Sequence, residues 1–458
     1  MTLVLLAAMA LAASPPGPLG EGAAVHLAVR PMPAPKPALR YQLLPELREL
    51  KPGNPAQNYL KCFMEQRYFF YSKEAVAERA RYQTMPLAEL PIDKLRRYGS
   101  AALRQADWAA RLDALDWQAL ERIQDGGMET LPDELGPLQY LAAALQVRFR
   151  AEVAGGHFDD ALRTARTMFA LGRHLGEYPT EVAGLVGLWV AQLGLDTLEE
   201  MVQQPGCPNL YWALTDLPYP LVDLRKGVQG DRTRVASDLS SLHDDRPMTE
   251  PEMAEFVSRW SGAMNFAREQ AGRAPRSLRT RLKARVEDPE RVGAARRRLV
   301  EASHGPDLVE TLPPTQVILV DEKRDYEIHR DERMKLLALP LWQIDPLVGA
   351  EEHASDGDGL FADLLPDIIK LRRSQGRLER QIALLRHVEA LRLYAASHGS
   401  ELPPKLSDIS VPLPGDPFTG KPFDYHVEGA TAHIRGRLRE GEVEDPGYDV
   451  HYEVTLRK

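Results

Sequence analysis

Two stretches decide the fold. The first is Ser374-Gln375-Gly376-Arg377-Leu378-Glu379-Arg380-Gln381-Ile382-Ala383-Leu384-Leu385-Arg386-His387-Val388-Glu389-Ala390-Leu391-Arg392-Leu393-Tyr394-Ala395-Ala396-Ser397. The second is Asp416-Pro417-Phe418-Thr419-Gly420-Lys421-Pro422-Phe423-Asp424-Tyr425. In the first, Leu378, Ile382, Leu385, Val388, Leu391 and Ala395 recur at steps of three and four. Glu379, Arg380, Arg386, Glu389 and Arg392 fall off that stripe, which predicts an amphipathic helix. Gly399 suits the left-handed residue that stops a helix. In the second, Asp416-Pro417 opens a turn and Gly420 supplies its positive-φ position. Phe423, Tyr425 and Val427 then alternate as a strand, Glu428-Gly429 turn the chain, and Ala432 to Ile434 pair back. Tyr448 to Leu456 alternate with period two. The expectation is a small antiparallel sheet packed on a long helix.

Upstream the chain reads as helices joined by proline-rich connections. With 458 residues there is enough chain for two or three domains, and 44% hydrophobic and 27% charged residues are ordinary for a globular protein. Asn58 to Ala80 carries Tyr59, Phe63, Tyr68, Phe69 and Tyr71 at helical spacing, a pattern of core packing. Asp93 to Leu120 reads as a second helical stretch with Trp108 and Trp117 on its apolar face, closed by Gly126-Gly127. Pro137 to Ala154 and the helix from Asp159 onward are joined by Gly155-Gly156-His157-Phe158. This resembles one unit of a tetratricopeptide-type hairpin without a sustained 34-residue period. Thr180 to Met201 is apolar on most of its surface, which places it centrally, with Glu199-Glu200 at a solvated end. Thr249-Glu250-Pro251-Glu252 is a capping box. Gln316 to Val320, rich in β-branched residues, is a candidate buried strand.

The N-terminus, Met1 to Ser14, has an apolar run of signal-peptide length, too short for the ~20 residues that a bilayer requires. It lacks a positively charged start. Export follows as the expectation, with an ordinary buried segment or a mis-assigned start as the alternatives. Residues 15–40 hold seven prolines and read as a stiff or disordered spacer. The expected organisation is a signal peptide over 1–14, a Pro-rich spacer over 15–40 and a helical-hairpin domain over 41–226. A charged helical region over 227–310, a connecting strand and helix region over 311–376 and the α+β module over 377–458 complete it. The fold class is mainly α, as stacked helical hairpins, with a small α+β C-terminal module.

A net charge of −9 argues against nucleic acid as a partner. Between Phe256 and Val300 twelve Lys or Arg face four acids. A weak anionic-surface contact is one reading; basic faces neutralised by acids from elsewhere is the other. Aromatic platforms for single strands are missing from 267–300. Cys62 and Cys207 read as unpaired buried small hydrophobes, an oxidised pair being the alternative. Nucleophile-elbow, zincin, P-loop and dinucleotide signatures are missing from the sequence. His329 with Asp331 and Glu332 is the densest ionisable group, but neighbours on a helix diverge by about 100°. His157 and His387 read as structural, and Asp356-Gly357-Asp358-Gly359 lacks the ligands of a calcium loop. Catalytic, cofactor and metal residues are therefore expected to be none, and enzyme activity is left undecided, leaning against.

The order Leu391 to Gly399, then Leu402 to Ile409, then Asp416 to Tyr425 resembles the globular part of type II secretion major pseudopilins. It is closer still to a C-terminal segment of uncharacterised exported bacterial proteins. Pro52-Gly53-Asn54-Pro55-Ala56, the Gly156–Ala165 hairpin, Pro205 to Leu214 and Leu312 to Val317 look like that second family. The pseudopilin resemblance covers about the last eighty residues. Arg372-Arg373 before the helix, and a 441–447 loop without calcium ligands, depart from it. It implies a shared small fold, not filament assembly. The expected function is a non-catalytic exported scaffold or protein-binding component of the cell envelope with a protein or peptide partner. An exported hydrolase with a dispersed site and a secretion-associated component are the alternatives.

Overall fold

The computed structural model describes residues 24–130, 132–270, 272, 274–302, 304–348, 359–436 and 450–457. The expected signal peptide, most of the Asp356–Gly359 loop and the 441–447 loop lie outside these residues. The fold is mainly α with a small four-stranded sheet at its C-terminal end. Helices of eleven residues or more are α1 Pro55–Glu65, α2 Lys73–Thr84, α3 Leu135–Ala154, α4 Phe158–Gly176, α5 Glu181–Val202, α6 Arg225–Leu239, α7 Glu250–Gln270, α8 Pro289–Glu301, α9 Pro314–Met334 and α10 Ile368–Ser397. The strands are β1 Val25–Val29, β2 Asp424–Glu428, β3 Thr431–Arg435 and β4 His451–Leu456. The chain divides into two compact units, one of residues 1–117, 132–227 and 373–458, the other of 118–131 and 228–372.

In the first unit α3, α4 and α5 pack side by side around buried Leu138, Leu145, Phe149, Met168, Phe169, Val190 and Leu195. The α3–α4 turn takes its left-handed residue at Gly156, φ 71°. Asp159 and Asp160 stand in the first turn of α4, where negative charge favours the helix dipole. Gly172 and Gly187 let α4 and α5 approach closely: a Cβ on Gly187 would stand 2.5 Å from the Gly172 carbonyl oxygen. Among the described residues α5 is the one helix long and apolar enough to cross a membrane, and most of its apolar window is buried inside the protein.

The aromatic stretch beginning at Asn58 is not one helix. It breaks at Gln66 and Ser72 into α1, a short Arg67–Tyr71 helix and α2. Tyr59, Phe63 and Phe70 enter the core, while Met64 and Tyr68 are exposed. Asp93 to Leu120 is broken too, into Ile92–Leu95 and Arg104–Ala109, with Gly99 at φ 63° between them.

The sheet is mixed, not purely antiparallel, and its order is β1-β4-β3-β2. β2, β3 and β4 form the antiparallel set expected from their alternation. β1 adds in parallel to β4, pairing Val25 with Tyr452 and Val29 with Leu456. Residues 25–29, read as part of a spacer, are thus a strand. Val25-His26-Leu27-Ala28-Val29 does alternate, but a run this short between proline-rich flanks carries little signal, and a parallel partner at the far end of the chain cannot be seen locally. The inner face buries Leu27, Val29, Ala432, Ile434, Tyr452 and Val454.

α10 is buried nearly all round instead of being half-solvated. Leu378, Leu385, Val388 and Leu391 are buried as expected, but so are Glu379, Arg380, Glu389 and Arg392. Arg380 pairs with Asp416, and Arg392 with Glu389. Arg392 also donates to the carbonyls of Cys207, at 2.7 Å, and Arg30, at 3.0 Å. The charged residues bond the backbones of loops that cross the helix, which is why a solvent-facing pattern ends up inside.

In the second unit Met128, Trp260, Leu299, Leu319, Tyr326 and Phe361 share one core. Gln316–Val320, expected as a strand, is the first turns of α9. Pro314 near the helix start and a continuing helical pattern decide it; a five-residue apolar run cannot distinguish the two states. The Thr249–Glu252 capping box forms, the Glu252 carboxylate accepting from the Thr249 amide at 2.7 Å. The basic stretch is largely neutralised: Arg268 pairs with Asp363, Arg285 with Glu322, Arg296 with Glu310 and Arg298 with Asp321.

Candidate functional site

Strand alternation sorts the sheet's side chains onto two faces. The face opposite the core carries His26 from β1, His451, Glu453 and Thr455 from β4, Thr431, His433 and Arg435 from β3, and Asp424, His426 and Glu428 from β2. Register aligns four of them in one cross-strand row, because His26 pairs with Glu453, Glu453 with His433, and His433 with His426. His451 lies one row away, opposite Arg435.

The contacts are close. His433 Nδ1 lies 3.1 Å from His451 Nε2, and 3.8 Å from the nearer Glu453 oxygen. The other Glu453 oxygen lies 2.8 Å from His26 Nδ1. His426 and His433 stack in parallel with ring centroids 4.5 Å apart. Glu428 reaches His426 Nε2 at 3.5 Å and His433 Nε2 at 4.0 Å. Two triads therefore have ligand atoms within 4.8 Å of one another: His433, His451 and Glu453, which are half-buried, and His426, Glu428 and His433, which are more exposed. These residues could hold a cation. Sequence reading found the histidines scattered. The missed signal is that His426, His433 and His451 each sit on the outward parity of a strand already predicted, although their rows depend on register.

Beneath the sheet lies a second polar cluster. The Tyr452 hydroxyl donates to Glu199 of α5, and Gln381 of α10 donates to Glu199 at 2.7 Å and to Asp196 at 3.1 Å. Burial, then the charge of Asp196, pushes the Glu199 carboxyl up to about 7. The expected solvated end of α5 is instead bonded: Glu200 takes both 2.7 Å bonds of the Arg150 guanidinium. A cavity of about 360 Å³ beside it is lined by Ala28, Arg30, Leu87, Glu200, Gln203, Gln204, Pro205 and Arg457.

The residues singled out in the sequence do not converge. His329 is half-buried on α9 and bonds the Asp325 carbonyl at 2.8 Å, while Asp331 pairs with Arg330 and Glu332 with Lys335. His157 lines a separate cavity of about 210 Å³ with Glu152 and Asp93. His387 is buried, bonds the Ala383 carbonyl at 2.8 Å, and is pulled down to about 4 by burial. Cys62 and Cys207 are unpaired and buried, and burial pushes both thiols up to about 12. No family model, curated protein or solved structure matches this chain.

Proposed function

We propose that this chain is a non-catalytic scaffold or protein-binding component of the cell envelope, with the outer face of the sheet as its binding surface. The single observation that carries the reading is the row His26–Glu453–His433–His426, displayed on strands whose opposite face is packed into the core. A locked platform with donors and acceptors on its outward face suits recognition, because little order has to be imposed on binding. Glu199, His174, His387, Cys62 and Cys207, each shifted far from its ordinary range chiefly by burial, sit in packing contacts, away from this face. Export is part of the proposal and rests on the apolar run Leu3–Ala13. The burial of Leu378, Leu385 and Leu391 weighs against lateral assembly through α10, and so against a filament-like role for the pseudopilin-like module.

The test is capture from envelope fractions on the immobilised full chain, beside the double variant His426→Ala/Glu428→Ala. A partner recovered reciprocally by the wild type and lost by the double variant supports the reading. Hydrolysis of envelope polymers by the purified protein, or a partner indifferent to the double variant, overturns it.

A further inference from the structure

We infer that the outer sheet face binds a divalent cation of the later first transition row, with Zn²⁺ as the type case, through His433, His451 and Glu453. The inference deepens the binding reading of that face and rests on it. A tetrahedral ion with bonds of about 2.0–2.1 Å holds neighbouring donors roughly 3.3–3.4 Å apart. The observed separations are 3.1 Å between His433 Nδ1 and His451 Nε2, and 3.8 Å between His433 Nδ1 and the nearer Glu453 oxygen. The third pair, His451 with Glu453, lies within 4.8 Å, so gathering all three donors on one ion takes side-chain shifts of up to roughly 1.5 Å, within the reach of χ rotations on fixed strands.

The donor set names the class of ion. Two imidazoles and one carboxylate suit Zn²⁺, Co²⁺, Ni²⁺ or Cu²⁺, whereas Ca²⁺ and Mg²⁺ prefer oxygen alone. The surroundings fit as well. The second Glu453 oxygen, 2.8 Å from His26 Nδ1, gives the carboxylate an outer partner that orients it. When Nδ1 of His433 holds the ion, its Nε2 faces the Glu428 carboxylate at 4.0 Å, a negative charge beside the cation. The His433 side chain is only 14% exposed and that of Glu453 26%. A partly desolvated imidazole and carboxylate are therefore already gathered where a cation would offset their burial. Three protein donors leave a fourth position for water or for a side chain of a bound protein.

The experiment titrates the full chain, free of any histidine tag and treated with chelator, with ZnCl₂ by calorimetry and with CoCl₂ by visible absorption. One ion per chain, a dissociation constant tighter than about 10 µM, an intense tetrahedral cobalt band and no response to CaCl₂ are expected. His451→Ala and Glu453→Gln each weaken binding by ~10-fold or more. His329→Ala, on α9 of the second unit and not part of the sheet, leaves it unchanged. Circular dichroism of each variant separates loss of ligand from loss of fold; should His451→Ala unfold, Glu453→Gln carries the test. Wild-type binding weaker than about 1 mM, or sensitivity to His329→Ala equal to that of Glu453→Gln, overturns the site. The two readings separate: partner capture without zinc binding removes the ion alone, and zinc binding without partner capture removes the protein-binding role alone.

Discussion

Arg380 and Asp416 form a two-pronged ion pair inside the first unit. Nε lies 2.8 Å from Oδ1 and Nη2 2.8 Å from Oδ2, with side chains 4% and 0% exposed. The same Asp416 carboxylate accepts the Phe418 amide at 3.0 Å, and the Arg380 guanidinium lies 4.0 Å over the Phe418 ring. One aspartate thus joins the turn before β2 to α10. Asp416→Ala strands a buried guanidinium, a loss of about 3–5 kcal/mol. Urea denaturation of the full chain should show it; a loss under about 1 kcal/mol would mean that the pair is not isolated from water.

The Glu389–Arg392 pair tests how buried charge is tolerated in α10. Glu389 accepts from Arg392 at 2.7 Å and from the Leu210 amide at 3.1 Å. Arg392→Met should cost about 3–5 kcal/mol, because it leaves Glu389 without its counterion. Adding Glu389→Leu should recover part of that loss, the recovery reading the coupling in a double-mutant cycle. Recovery stays partial because Arg392 also ties down the Cys207 and Arg30 carbonyls. Strict additivity of the two losses would show the pair to be uncoupled.

Glu199 makes stability depend on pH. Its carboxyl is raised from 4.5 to about 7 in the folded chain. Between those values the folded state holds the extra proton, so stability falls as pH rises through the window. The ceiling is roughly 3 kcal/mol, since each tenfold change in proton affinity is worth ~1.4 kcal/mol. Glu199→Gln keeps an oxygen for Tyr452 and Gln381 and removes the titration. The variant should be more stable than wild type at pH 8 and about equal to it at pH 4. His387 acts with the opposite sign: lowered from 6.5 to about 4, it loses stability as pH falls through that interval. Thermal melts across pH 4–8 check both, and an unchanged pH profile in Glu199→Gln would refute the first.

Cys62 and Cys207 should resist thiol reagents in the native state. Both are buried and raised to about 12, so the reactive thiolate is scarce at neutral pH. Ellman's reagent should find both thiols only after denaturation. Rapid labelling of native protein would place at least one in an opened region, and failure to label denatured protein would reveal a disulfide.

Much of the C-terminal module is legible from local pattern. Gly420 takes φ 66° and Gly429 φ 62°, both at turns that the sequence predicts, and period-two runs mark β2, β3 and β4. The charged residues of α10 mislead, since periodicity distinguishes apolar from polar side chains but not solvated charge from charge bonded to crossing loops. Glu389 and Arg392 look like surface and are core. The candidate site is less legible still. His26, His433 and His451 are far apart in sequence, and strand register alone decides that they meet.

What the sequence determined by itself is local: helix starts and stops, turn positions, and which side chains share a strand face. These follow from φ/ψ preference and from the 3.6 and 2.0 periods, which operate over a few residues. Tertiary structure alone decided the rest. It placed β1 beside β4 and drew Arg380 onto Asp416. It also aligned His26, Glu453, His433 and His426 in one row. Each of these is a pairing between distant segments, selected by the burial and bonding available once the chain has folded.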